Sequence, residues 1–160
     1  MLWYSVALRL GGIVFQGASS ISLDVKGRLA VPTKHREALA GQANSELVLT
    51  AHPHRCLLLY PKAAWAPIRD KVMAFSSLGD AAKLQRLLVG FAEEIAMDAA
   101  GRLLVSPELR RFAGMEKQVM LVGQGGHFEL WSQEAWDRQL DKIINEGENL
   151  LPAGTENFSL

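Results

Sequence analysis

Two stretches of the chain set an acid, a glycine and a base at the same spacing. They are "SLDVKGRLAVP" at residues 22–32 and "AMDAAGRLLVSP" at residues 96–107, and both contain D-x-x-G-R-L-x-V. An Asp at the head of a turn accepts hydrogen bonds from backbone N–H groups two or three residues on. The Arg four positions after it opens the returning strand beside that carboxylate, and a charge-assisted pair there would hold the guanidinium rigidly. A rigid Arg at a turn can lock the turn, or it can offer donors to phosphates or to guanine O6 and N7. The candidate residues are Asp24 and Asp98 to orient, Gly27 and Gly101 to turn, and Arg28 and Arg102 to donate.

The flanks of the two copies differ. Between Asp24 and Arg36 the first copy carries Lys26, Arg28, Lys34 and Arg36 against one acid, with His35 in addition. Several cations around one Arg are what phosphate positioning combined with base readout requires. The second copy has Ala99 and Ala100 at its turn and Glu108 near Arg110 and Arg111, so the two are expected to bind unequally. The expected nucleic-acid contacts are Lys26, Arg28, Lys34 and Arg36, with Arg102 secondary. The whole chain has 17 basic and 17 acidic residues, which argues against binding polyanions through bulk charge. That charge is segregated, since Glu134, Asp137, Asp141, Glu146 and Glu148 face only Arg138 and Lys142.

The elements that must position these residues are themselves duplicated. At an offset of 74, Ala18, Ile21, Asp24, Gly27, Arg28, Leu29, Val31 and Arg36 match Ala92, Ile95, Asp98, Gly101, Arg102, Leu103, Val105 and Arg110. At an offset of 71, Leu59, Tyr60, Ala64 and Trp65 match Leu130, Trp131, Ala135 and Trp136. Each copy reads as a half-buried strand, a glycine turn, a returning strand paired with the first as a hairpin, a short helix and two more strands. Pro32 and Pro107 end the returning strands. Amphipathic helices follow, with Trp65, Ile68 and Val72 on one and Trp136, Leu140, Ile143 and Ile144 on the other. A third helix around "DAAKLQRLLVGF" links the copies, and the last ten residues read as a flexible tail.

Other chemistries find little support. No apolar run reaches the ~18 residues of a membrane helix. The single Cys56 cannot close an internal disulfide, which fits a reducing compartment. In "HPHRC", His52, His54 and Cys56 alternate, but their second-copy counterparts are Gly123, Gly125 and His127, so they read as hairpin residues and not as zinc ligands. The turn "GQGG" at 123–126 precedes no helix and fails the context of a phosphate loop. The matched aromatics read as core. No nucleophile comes with a base and an orienting partner, so no enzymatic activity, cofactor or small-molecule substrate is expected.

"FQGASSISLDVKGRLAVPTKHREAL" and "MDAAGRLLVSPELRRFAGMEKQVMLVGQGGHFELWSQEAW" resemble the two halves of the MraZ family, whose members carry one D-x-x-x-R motif per half. The resemblance runs from Phe15 to Ile144. It implies a mainly β fold with short helices: a double swapped-hairpin, AbrB-like β-barrel formed by two tandem repeats, plus peripheral helices. It further implies a transcriptional regulator in the cytoplasm and on the nucleoid. Such a regulator binds double-stranded DNA as a ring-shaped homo-oligomer, at short G-rich direct repeats upstream of its own division and cell-wall gene cluster. The expected divisions are repeats at 14–66 and 92–137, linking helices at 67–91, and a helix end and tail at 138–160. Val14-Phe15 stands where the family begins with Met-Phe, so residues 1–13 are expected to be an extension from gene calling. The second half has Ser106 where the first has Pro32. A competing expectation is an oligomeric interaction scaffold, or an antitoxin-like partner binder, in which the D-x-x-x-R pairs are structural.

Overall fold

The strands that flank the first turn part company instead of pairing. The computed structural model describes residues 14–42, 45–76 and 78–159; the expected extension at 1–13 lies outside them. Strand β1 (Ala18–Ser22) enters the turn and β2 (Arg28–Ala30) leaves it, but only the Leu23–Leu29 bridge joins the two. Beyond that bridge β1 pairs antiparallel with β7 (Gln118–Gly123), and β2 pairs antiparallel with β6 (Arg102–Leu104). The second half mirrors this, since β5 (Glu93–Ala96) pairs with β3 (Glu46–Ala51). The local hairpin expected from the sequence is thus corrected to an exchange of strands between halves. The alternation of apolar residues satisfies either pairing equally, so the sequence pattern cannot separate them.

With β4 (Leu57–Pro61) and β8 (Phe128–Ser132), the sheet runs β1-β7-β8-β4-β3-β5. This order is symmetric about the β8–β4 contact, as a pseudo-two-fold requires. The edges stay open at β1 and β5, and β2–β6 forms a separate ribbon. The expected barrel is therefore present as a sheet plus a ribbon, not as one closed ladder. Both halves feed one core. Leu29 faces Leu103 across the ribbon, and Val31, Leu47, Leu49, Val105, Leu109, Phe128 and Leu130 pack in the same buried cluster.

Helix α1 (Thr33–Gln42) follows β2, and α4 (Pro107–Phe112) follows β6. The departure at Ser106 has a local reason. Ser106 caps α4 through its Oγ, which accepts from the Leu109 N–H at 3.3 Å, and Pro107 takes the first helical position, where no N–H is needed. In the first half α2 (Lys62–Met73) buries Trp65 and Val72. It is tied to α3 (Asp80–Leu88) by Gln85 Nε2, which donates to the Val72 and Phe75 carbonyls at 3.2 and 3.0 Å. The corresponding α5 (Gln133–Glu146) is capped by Ser132, packs Trp136 near Trp131, and is followed, among the described residues, only by a 3-10 turn at Gly147–Leu150. Among the described residues no helix is long and apolar enough to cross a membrane.

Candidate nucleic-acid interface

Each acid–glycine–base turn is closed by its own aspartate. Asp24 Oδ1 accepts from the Lys26 and Arg28 backbone N–H groups, both at 2.9 Å, and Oδ2 accepts from Arg28 Nε at 2.8 Å. Asp98 repeats the pattern with Ala100 N, Arg102 N and Arg102 Nε, all at 2.9 Å. Main-chain bonds complete both turns. Gly27 N donates to the Asp24 carbonyl at 3.0 Å, and Gly101 N donates to that of Asp98 at 2.9 Å. The Arg28 backbone N–H, followed by its side chain and the Lys26 N–H, holds the Asp24 carboxyl below its ordinary range. Arg102 and Ala100 do the same for Asp98. Both acids are therefore ionised at neutral pH and fixed in place.

The ion pairs use the Nε edge of each guanidinium. Among the described residues no hydrogen bond engages the terminal amino groups of Arg28 or Arg102. A guanidinium carries five donors in a planar fork, so the outer edge of each remains able to make a bidentate contact. The β2–β6 register places Arg28 opposite Leu104 and Ala30 opposite Arg102. Partners in register share a face, so these four residues form the outer side of the ribbon while Leu29 and Leu103 form the buried side. The two arginines are then diagonal neighbours, about 7–8 Å apart across the two strands. Two oriented cations lie on one exposed surface.

The turns are also locked to each other. Arg36 on α1 donates through Nε to the Val31 carbonyl at 2.6 Å and lies across Gly101; Arg110 on α4 donates to the Val105 carbonyl at 3.0 Å and lies across Gly27. Val31 N donates to the Gly101 carbonyl and Val105 N to that of Gly27, at 2.8 and 2.9 Å. Each glycine is therefore required twice. Its φ is positive, +84° at Gly27 and +76° at Gly101, and a Cβ would meet the opposing arginine within 3 Å. This clamp between halves was missed by the sequence reading. Its one signal was the match of Arg36 with Arg110 in the duplication.

The predicted cations do not all converge. Lys26 is exposed on the first turn beside Arg28. Arg36 belongs to the clamp. Lys34 has its Nζ over Gly17, just before β1, so the five residues of β1 separate it from the turn. That is roughly 17 Å of strand. His35 points inward against Phe15 and Phe128, and burial, then Lys34, lowers its pKa. The exposed apolar residues of this surface, Val25 and Leu104, were also missed, although a Val inside a polar turn was a visible signal.

A separate set of ionisable side chains lies on and beside β4 and β8. Cys56 is buried with Sγ 3.9 Å from Glu129, and burial pushes its thiol up. His127 stacks on Tyr60 with ring centroids 4.6 Å apart, and burial followed by His52 holds it down at about 4. Among the described residues no group of three or more His, Cys, Asp or Glu could hold a metal ion.

Comparison with known proteins adds an independent line. The family model described as "MraZ protein, putative antitoxin-like" matches residues 14–87 and again 88–151. A protein of Methylobacillus flagellatus named transcriptional regulator MraZ is 63% identical over 148 residues, spanning 92% of this chain and all of that protein. One of the same name from Azoarcus sp. is 53% identical over the same shares. Another from Nitrosomonas europaea is 45% identical, again over the same shares.

Proposed function

Because the chain belongs to the MraZ family, as both its halves and its relatives' identity show, we propose that it is a sequence-specific DNA-binding transcriptional regulator and not an enzyme. The observation that carries the reading is the pair of aspartate-held guanidiniums, diagonal on one exposed ribbon face with their outer edges uncommitted. Arg28 reads guanine O6 and N7, Lys26 contacts a phosphate, and Arg102 makes the lesser contact from the second turn. Asp24 and Asp98 orient the arginines, while Gly27 and Gly101 admit the clamp. Arg36 acts from behind by holding the second turn. Lys34 is too far along β1 to join the same contact.

The site is expected in short G-rich direct repeats upstream of the protein's own gene cluster, bound on the nucleoid by a ring of identical subunits. Charge supports such assembly. Residues 62–86 carry five bases and two acids, and residues 134–148 carry five acids and two bases. Large apolar side chains lie exposed in both regions, including Leu78 at 81% and Ile144 at 65%. In the first half α3 packs on α2, whereas among the described residues only the 3-10 turn Gly147–Leu150 follows α5. The basic face of one copy therefore fits the acidic face of the next, a head-to-tail contact that makes a ring when its rotation closes. Several turns on tandem repeats then supply affinity that one subunit with few cations lacks.

The test is fluorescence anisotropy with DNA from upstream of the gene against scrambled DNA, at several salt concentrations, with assembly size followed in parallel. Arg28→Ala is expected to lose about 1–3 kcal/mol of operator preference with assembly intact, and Arg102→Ala less. Equal binding to both DNAs, or loss of assembly in Arg28→Ala, would leave the motif structural.

A further inference from the structure

The first turn displays an apolar side chain at its tip. Val25 is 99% exposed between Asp24 and Lys26. The turn holds it there: Lys26 N and Arg28 N are bound to Asp24 Oδ1, and Gly27 N to the Asp24 carbonyl. On the adjoining ribbon face Leu104 is 54% exposed. The corresponding tip of the second turn has Ala99 and Ala100 in place of Val25 and Lys26. Isolated exposed apolar residues are ordinary. Here, however, a rigid turn fixes a β-branched group three residues from a guanidinium whose outer edge is uncommitted.

That combination matches one feature of the DNA major groove. Base edges there present acceptors and donors, and the apolar group among them is the C5-methyl of thymine. An arginine on guanine with an isopropyl group beside it would read G next to T. Resting on the DNA-binding reading above, we propose that Val25 is a specificity-determining contact for a thymine methyl adjacent to the guanine read by Arg28. The lack of its counterpart at Ala99 gives this pseudo-symmetric chain a direction on DNA. Two equal turns related by a two-fold would favour an inverted repeat. Two unequal turns favour a site without a palindrome, which tandem direct repeats can supply.

The test uses the full-length protein and the shortest upstream duplex that the wild type prefers over scrambled DNA. Each thymine is replaced in turn by deoxyuridine, which removes only the methyl. Wild type is expected to lose about three- to fivefold in affinity at one thymine position per bound repeat, the size of one buried methyl contact. Val25→Ala is expected to bind the unmodified duplex with the same loss and to be indifferent to uracil at that position. The double variant Ala99→Val with Ala100→Lys is expected to acquire a second methyl-sensitive position. The proposal is overturned if no thymine methyl matters to the wild type, or if Val25→Ala keeps the full sensitivity. If the wild type shows no preference for the upstream DNA at all, the DNA-binding reading falls as well, and that result is separate from the other two.

Discussion

Gly101→Ala is the substitution whose cost is best defined by the geometry. The three nearest atoms to a Cβ at this position all belong to Arg36, with Cδ at 2.7 Å and Cζ at 2.8 Å. The guanidinium must move, and its Nε bond to the Val31 carbonyl goes with it. A hydrogen bond from a charged donor contributes about 1.5–3 kcal/mol. A non-glycine residue at φ +76° adds roughly 1–2 kcal/mol of steric strain. The single variant should therefore lose about 2.5–5 kcal/mol. In an Arg36→Ala background the clash and the bond are both gone, and only the roughly 1–2 kcal/mol of backbone strain remains. A double-mutant cycle by urea denaturation, at one fixed protein concentration because assembly contributes to stability, should return a coupling of about 1.5–3 kcal/mol. Additive costs, within about 0.5 kcal/mol, would refute the clamp.

Three further outcomes follow from the same structure. Lys26→Ala should weaken binding to upstream and scrambled DNA alike and reduce the salt dependence of log affinity by about one, measured by anisotropy titration; an unchanged slope would remove Lys26 from the phosphate contacts. Leu140→Lys with Ile144→Lys places two cations among the acids of α5, against the basic face of the next copy, so sedimentation velocity should show subunits in place of the assembly while circular dichroism stays unchanged; an intact assembly would exclude this face. His127 has its pKa depressed from 6.5 to about 4 by burial and His52, so the unfolded chain takes up its proton first as pH falls. Stability from this group is complete above about 6.5 and declines towards 4. Denaturation curves should show His127→Phe losing less stability than the wild type over that window, by an amount of the order of 2 kcal/mol, and an identical decline in the variant would assign the effect elsewhere.

The duplicated turn was legible because its chemistry is local. An aspartate that must accept two N–H groups, a glycine with positive φ and an arginine on the next strand are needed within five residues, so the pattern survives in the sequence wherever the turn does. Helix caps are local in the same way, since Ser106 and Ser132 each accept from the N–H three residues on. The strand exchange was legible only through the family resemblance, which implies swapped hairpins, and not in the strand pattern. β1 and β2 join at Leu23–Leu29 and then take partners from the other half, a choice that depends on long-range packing and leaves the apolar alternation unchanged. The position of Lys34 was hidden likewise. Seven residues of sequence separate it from Lys26, but the chain turns between them, and its Nζ ends over Gly17.

The strand exchange also bears on why the guanidiniums are held as they are. An exposed arginine carries about 2 kcal/mol of rotamer entropy, much of which is lost when it docks on a base edge. In the proposed DNA contact, pairing Nε with the local aspartate would remove part of that freedom before DNA arrives, so less would be lost on binding. An exposed ion pair alone contributes little and would not keep a turn in place. The turn itself must be rigid, and here each is braced from the opposite half, by Arg110 over Gly27 and by Arg36 over Gly101. Neither half could brace its own turn this way, because the arginine, the carbonyl it binds and the glycine it covers are shared between the two. The duplication therefore does more than double a motif: each half completes the other's turn. The two turns then diverge only at their tips, where Val25 and Lys26 replace the alanines and no packing constrains the choice.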